Sequence, residues 1–262
     1  LIGLYSYNLI LITVFTLPII FFFRTSKIAK ILYLIFISFI ILGLFIFGNY
    51  QINKNKKKLD KISEKIFVKI VSPNFELKYG LTEEQIEERF KKLIKYSNPD
   101  KDKKTLFIWP EGVFSGYSYD EVVIFKELII QNFSKKHTII FGINQLDPKS
   151  LKYYNSMLVV DNNFKIIQYY NKRKLVPFGE FLPFQEFLNN FGFKKITEGH
   201  GSFLKGNKNN NIFIDKINFL PLICYEIIFT DLIQKSTQDT NLIINISEDG
   251  WFGKSIGPDQ HF

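Results

Sequence analysis

The stretch that decides the fold is Leu220–Phe229, "LPLICYEIIF". An apolar run of strand character stops at Cys224, and Tyr225-Glu226 follow where the chain must turn toward a helix. A strand end is where layered α/β folds present reactive groups, and a helix start favours a thiolate. Cys224 is the only cysteine in the chain. A lone buried thiol is more often an inert core residue, so its meaning depends on what else the sequence brings to it. One cysteine also excludes an internal disulfide and a multi-cysteine zinc site.

Two other positions offer chemistry at strand ends. Glu111 closes "TLFIWPEG" (105–112), where Trp109 and Pro110 limit water; a carboxylate there can act as a base, although a turn carboxylate is usually just solvated. Lys172 lies in "YYNKRKLVPFGEFLPF" (169–184). A lysine in a basic loop is ordinarily surface, but Val176-Pro177-Phe178-Gly179 makes a rigid apolar turn ending in Glu180, which holds a nearby cation close to a carboxylate. Base, oxyanion donor and nucleophile would then be Glu111, Lys172 and Cys224.

Around these positions the pattern alternates. "KIFVKIVSP" reads as a strand. "TEEQIEERFKKLIKYS" (82–97) reads as a helix opened by a Thr82–Gln85 capping box, with Ile86, Phe90, Leu93 and Ile94 on one face. Residues 119–134 read as a second amphipathic helix opened by Ser118 and Glu121, and "HTIIFGI" as a strand. "YNSMLVVDNNFKIIQYYNK" reads as a hairpin turning at Asp161–Asn163. A further hairpin over 212–223, a helix after the cysteine and the strand "NLIINIS" complete an α/β layered domain over 65–262.

The first 50 residues differ. The runs 1–23 and 28–50 are each long enough to cross a hydrocarbon core, which takes about 20 apolar residues, and neither carries the cleavage site of a signal peptide. Residues 51–64 then read as a basic linker. Arg24, Lys27 and Lys30 argue that the loop between the spans is cytoplasmic; Lys54, Lys56, Lys57 and Lys58 argue the reverse. The net charge of +9 comes from lysines spread along the chain, without a nucleic-acid-binding motif. His137, His200 and His261 have no metal-ligand spacing. Neither metal nor cofactor is expected, and the chain, opening on Leu1 and stopping at Phe262, reads as a fragment cut at both ends.

Taken in order, "WPEG", "YNKRKLVPFGEFLPF", "LICYE" and "NISEDGWFG" resemble the nitrilase, or carbon–nitrogen hydrolase, superfamily, and within it the apolipoprotein N-acyltransferase branch. The resemblance implies an αββα sandwich, C-terminally incomplete here, preceded by two transmembrane helices. It implies Glu111 as general base, Lys172 as the lysine and Cys224 as the acylated nucleophile of a Glu-Lys-Cys triad. Glu180, Glu226 and Tyr225 would support the pocket, and Tyr79 stands where the family often has a substrate-gating tryptophan. The implied reaction is ping-pong. Cys224 takes an acyl chain from a phospholipid, phosphatidylethanolamine foremost, and passes it to the α-amine of a diacylglyceryl-cysteine apolipoprotein, with no cofactor, at the periplasmic side of a bacterial inner membrane. The family carries about eight spans and a further stretch of sandwich, so a multi-pass protein is expected. The rivals are a membrane-tethered amidase using water as acceptor, and a non-enzymatic membrane-anchored binding module.

Overall fold

The computed structural model describes residues 3–16, 18, 19, 22, 23, 26–59, 67–183, 201–207, 211–234, 240 and 242–252. The chain divides into two units, Leu1–Lys65 and Ile66–Phe262.

In the first unit, helix α1 spans Gly3–Thr16 and helix α2 Lys27–Leu59. The two expected spans fare differently. Helix α1 has 14 residues, a rise of about 21 Å, short of a hydrocarbon core of about 30 Å. It ends two residues before Pro18, because proline disfavours helical backbone in the residue ahead of it and cannot donate within a helix. Only α2 has a helical stretch long and apolar enough to cross a membrane, Lys27–Lys54, among the described residues. Its exposed side chains include Leu32, Phe36, Phe39, Leu42, Phe45 and Ile46, so it is apolar around its circumference, as a helix surrounded by lipid or other helices must be. The segment expected as a linker is mostly a continuation of α2. No glycine or proline interrupts it after Gly48, and a run of lysines at a helix C-terminus complements the macrodipole.

The second unit is built on two sheets. Strands β1 (Phe67–Ile70), β2 (Thr105–Ile108), β3 (His137–Asp147), β4 (Lys152–Val160) and β5 (Ile166–Asn171) form the first, in that order. β1, β2 and β3 are parallel, while β4 and β5 continue it antiparallel. Helix α3 (Glu83–Ser97) connects β1 to β2, and α4 (Tyr119–Val122) with α5 (Lys126–Asn132) connects β2 to β3. The second sheet holds β6 (Ile212–Ile214), β7 (Ile217–Ile223) and β8 (Leu242–Ile246), with β6 antiparallel and β8 parallel to β7. Helix α6 (Thr230–Gln234) follows β7.

Three apolar clusters define the layers. Phe90, Leu93 and Ile129 of the helices pack with Phe107, Ile139, Phe141 and Leu158 on the outer face of the first sheet. Its inner face meets the second sheet through Ile108, Ile140 and Val159 against Ile212, Phe219, Ile223 and Ile246. Leu220 and Leu222, on the far face of the second sheet, pack with Leu232 of α6. The layers are therefore helix, sheet, sheet, helix.

Local expectations hold in detail at several points. Thr82 Oγ1 accepts from the Gln85 N–H and Gln85 Oε1 from the Thr82 N–H, closing the capping box of α3. In the β4–β5 turn, Asp161 Oδ1 accepts from the Asn163 and Lys165 N–H groups at 2.8 and 2.9 Å. The single helix expected over 119–134 is instead broken by a 3-10 turn at Val123–Phe125. The run Val122-Val123-Ile124 is β-branched and favours helix poorly. His137 is buried as a structural residue, its Nδ1 accepting from the Ser134 N–H and its Nε2 donating to the Asp100 carbonyl at 2.9 Å. His200 and His261 lie outside the described residues.

Gly142 of β3 is where the first sheet meets the segment after β2. Its N–H donates to the Pro110 carbonyl at 3.2 Å, and a Cβ built there would sit 2.7 Å from the Glu111 Cα. Gly142→Ala must therefore displace the backbone that carries Glu111. The expected cost is about 1–3 kcal/mol of stability, read as a lowered thermal midpoint together with slower alkylation of Cys224.

Candidate active site

Sheet register brings the chemistry to one end of the two sheets. β2 continues through Trp109, whose N–H donates to the Ile140 carbonyl, and delivers Glu111 beside Gly142. Ser156 pairs with Asn171 across β4 and β5, so the next residue, Lys172, lies beside Asn155 and donates its N–H to the Asn155 carbonyl at 2.8 Å. In the second sheet Ile223 pairs with Ile246, which sets Cys224 level with Ser247. Cys224 adopts φ +54° and opens a 3-10 turn, Cys224–Ile228. A left-handed conformation at a residue with a side chain is strained, and such strain concentrates at functional sites.

Glu111, Lys172 and Glu180 form one buried cluster. Lys172 is 2% exposed; its Nζ donates to Glu180 Oε1 at 2.9 Å and lies 3.7 Å from Glu111 Oε1. Asn155 Nδ2 links the same two oxygens, donating to Glu111 Oε1 at 2.7 Å and to Glu180 Oε1 at 2.8 Å. The apolar turn after Lys172 closes on its own carboxylate. The Val176 N–H donates to Glu180 Oε2, and the Glu180 N–H to the Val176 carbonyl. Glu111 Oε2 is buried and has no hydrogen-bond partner of standard geometry among the described residues.

The electrostatics follow from this packing. Burial pushes the Glu111 carboxyl above its ordinary range and outweighs the attraction of Lys172; Glu180 pushes the same way as burial, while Asn155 and, least, the Glu248 N–H oppose it. Burial disfavours the charge on Lys172, yet the carboxylates of Glu111 and Glu180 more than compensate and hold the ammonium protonated. The Cys224 thiol is pushed up to about 11, first by burial and then by Glu111, against the pull of Lys172, the Ser247 hydroxyl and the Tyr225 N–H. The resting sulfur is therefore a protonated thiol, beside both a carboxylate that can take its proton and a cation that can stabilise the anion.

Glu226 fastens the lysine loop to the cysteine turn. It is fully buried, and its carboxylate accepts from Tyr170 Oη (2.9 and 3.0 Å), from the Arg173 and Lys174 N–H groups (2.7 and 3.0 Å) and from the Ile223 N–H (3.0 Å). All these donors are uncharged, and burial, the largest influence, raises its pKa. The Tyr225 ring packs edge-on to Phe229 at 5.0 Å. Tyr79 is half-buried against Gly116, where a built Cβ would lie 3.1 Å from its ring.

Four contributors escape the sequence reading: Asn155, Tyr170, Ser247 and Glu248. Asn155 was the most accessible of them, a polar residue inside the strand "YNSMLVV", where a buried amide needs partners. The other three are set by inter-strand register.

Glu226→Gln replaces an acceptor-only group with one that presents an amide N–H₂ to backbone donors. The expected outcome is a loss of about 1–3 kcal/mol, seen in denaturant unfolding, with Cys224 alkylation slowed as the two loops separate.

The carbon-nitrogen hydrolase family model matches residues 74–262. The chain is 36% identical to an apolipoprotein N-acyltransferase of Rhodopseudomonas palustris over 60% of its own length and 30% of that protein. It is 34% identical to the apolipoprotein N-acyltransferase of Wigglesworthia glossinidia brevipalpis over 100% of its length and 51% of that protein. A crystal structure of a carbon-nitrogen hydrolase from Helicobacter pylori G27 aligns with a TM-score of 0.47 at 14% identity, over 70% of this chain and 59% of that one. The chain thus spans about half or less of the length of these curated relatives. On the extent of the family match, it belongs to the carbon-nitrogen hydrolase family.

Proposed function

We propose that the protein carrying this chain is an apolipoprotein N-acyltransferase that works through a Cys224 thioester. The observation that carries the reading is the placement of the thiol beside a buried carboxylate, Glu111, and a buried ammonium, Lys172. The chain's similarity along its whole length to one curated transferase and the membrane-length apolar helix α2 support a lipid substrate over a small soluble amide.

In the first half-reaction Glu111 takes the thiol proton as sulfur attacks the ester carbonyl of a phospholipid. The C–S bond forms, the ester C–O bond breaks, and Glu111 returns the proton to the departing alkoxide. The donor is phosphatidylethanolamine in this reading. Lys172 has three N–H donors, and its carboxylate neighbours engage two directions, leaving one for the tetrahedral oxyanion. In the second half-reaction the α-amine of a diacylglyceryl-cysteine lipoprotein replaces the alkoxide. Glu180 and Asn155 hold Lys172 and Glu111 in register, Glu226 holds the cysteine turn, and Tyr79 and Tyr225 flank the approach. The protein sits in a bacterial inner membrane as a multi-pass chain with this site on the periplasmic side.

Incubating the full-length protein with acyl-labelled phosphatidylethanolamine should give a mass increment of one acyl group on the Cys224 peptide. That adduct should survive in buffer and discharge onto a diacylglyceryl-cysteinyl peptide; Cys224→Ser should form no thioester. Fast discharge to water in the absence of amine would identify an amidase instead.

Glu111→Gln should separate thiol ionisation from turnover. Removing the carboxylate takes away one of the influences that hold the thiol up while Lys172 still pulls it down, so the pH midpoint of Cys224 alkylation should fall below about 11. Acyl transfer should nevertheless drop by about 100-fold or more, because no base serves the amine and no acid serves the alkoxide. An alkylation midpoint that rises would overturn this assignment of Glu111.

A further inference from the structure

The site holds a carboxylate that the mechanism above does not use. Glu248 lies in the turn after β8, one residue beyond Ser247. Its side chain reaches the segment of the general base: a Cβ built on Gly112, where φ is +69°, would lie 3.3 Å from Glu248 Cγ and 3.5 Å from Glu248 Oε2. Its Oε1 accepts from the Gly250 N–H at 2.8 Å, and that bond aims the carboxylate.

The charged groups facing Glu248 are Glu111, Asp249 and Arg89. Arg89 does not neutralise it by contact. Its two terminal nitrogens donate to the Val113 and Glu76 carbonyls at 2.8 and 2.7 Å, and its guanidinium lies over the Phe75 ring at 4.6 Å. Among the described residues, Glu248 forms no ion pair within 4.0 Å. Among the described residues Lys172 is the ion-pair partner of Glu111 and Glu180, and Glu248 adds a third carboxylate that faces Glu111. Glu111 Oε2, buried and without a hydrogen-bond partner of standard geometry among the described residues, is a second sign that a donor belongs there.

We propose that Glu248 receives the acceptor as an ammonium and presents it to Glu111, making it the specificity-determining residue for a charged primary amine. The inference rests on the transferase reading. An α-ammonium carries three N–H donors, enough to meet both Glu248 and Glu111 Oε2. One N–H proton passes to Glu111. The freed lone pair attacks the thioester carbonyl, the C–N bond forms and the C–S bond breaks. The proton on Glu111 goes to the departing sulfur, a second ammonium proton leaves to water, and the third stays on the amide nitrogen. Burial raises the pKa of Glu248, so its hold on the ammonium strengthens as pH rises through its titration and the carboxylate forms.

The test loads Cys224 with a labelled acyl chain from phosphatidylethanolamine in the full-length protein. The thioester is then discharged near neutral pH by two nucleophiles: a diacylglyceryl-cysteinyl peptide, which arrives as an ammonium, and hydroxylamine, which is uncharged there. Glu248→Gln keeps an oxygen for the Gly250 N–H and removes only the charge. The ratio of peptide to hydroxylamine discharge should fall by on the order of tenfold, and Glu248→Asp should restore part of it. An unchanged ratio, or an equal loss with both nucleophiles, overturns the assignment of Glu248 and leaves the transferase reading standing. A wild-type protein that forms no thioester at all overturns both.

Discussion

The structure depends on one buried cation. Lys172 is almost completely removed from water and is held by Glu180 and Glu111. An ammonium in that position is tolerable only while carboxylates surround it; removing one partner from a buried pair costs about 3–5 kcal/mol. The reverse also holds, since Glu111 and Glu180 share the amide of Asn155 and would repel each other without the cation between them. The ends of three strands are thus tied by electrostatics in addition to strand pairing and apolar packing. Glu226 extends the arrangement into the second sheet with a different device, a buried carboxylate saturated by neutral donors. The catalytic geometry and the junction of the two sheets are consequently the same structural problem.

How much of this was legible depends on the range of the interaction. A layered α/β domain followed from the alternating apolar periods, the αββα order from the family resemblance, and the capping box of α3 and the Asp161 turn from residues a few positions apart. Lys172 and Glu180 were also readable together, because a short apolar turn joins them. Asn155 is 44 residues from Glu111 and Tyr170 is 56 from Glu226; only strand register brings them together, and one sequence does not state its register. The membrane region shows the opposite limit. Two apolar runs of similar length were equivalent by composition, yet Pro18 ends one early, while the lysine-rich run prolongs the other instead of beginning a linker.

The thiol pKa of about 11 bears on the kind of chemistry such a site performs. A cysteine kept as a thiolate would be attacked by oxidants and other electrophiles throughout its resting life. Here burial and Glu111 suppress the thiolate, and in the proposed mechanism the proton moves only as sulfur closes on carbon. Burial raises the Glu111 pKa as well, which makes its carboxylate a stronger proton acceptor toward the thiol than an ordinary carboxylate is.

A ping-pong reaction also requires the site to treat its two leaving and entering groups differently while keeping one acyl intermediate. In the proposed reaction the reacting group of the donor is a neutral ester and that of the acceptor a cation, so a field with more carboxylates than cations acts on the reacting group of the second and not on that of the first. Water is the competing acceptor, and it carries no charge for that field to attract. On the proposed transferase reading, the imbalance around Lys172, with Glu248 added to Glu111 and Glu180, is the feature that would separate transfer to an amine from hydrolysis.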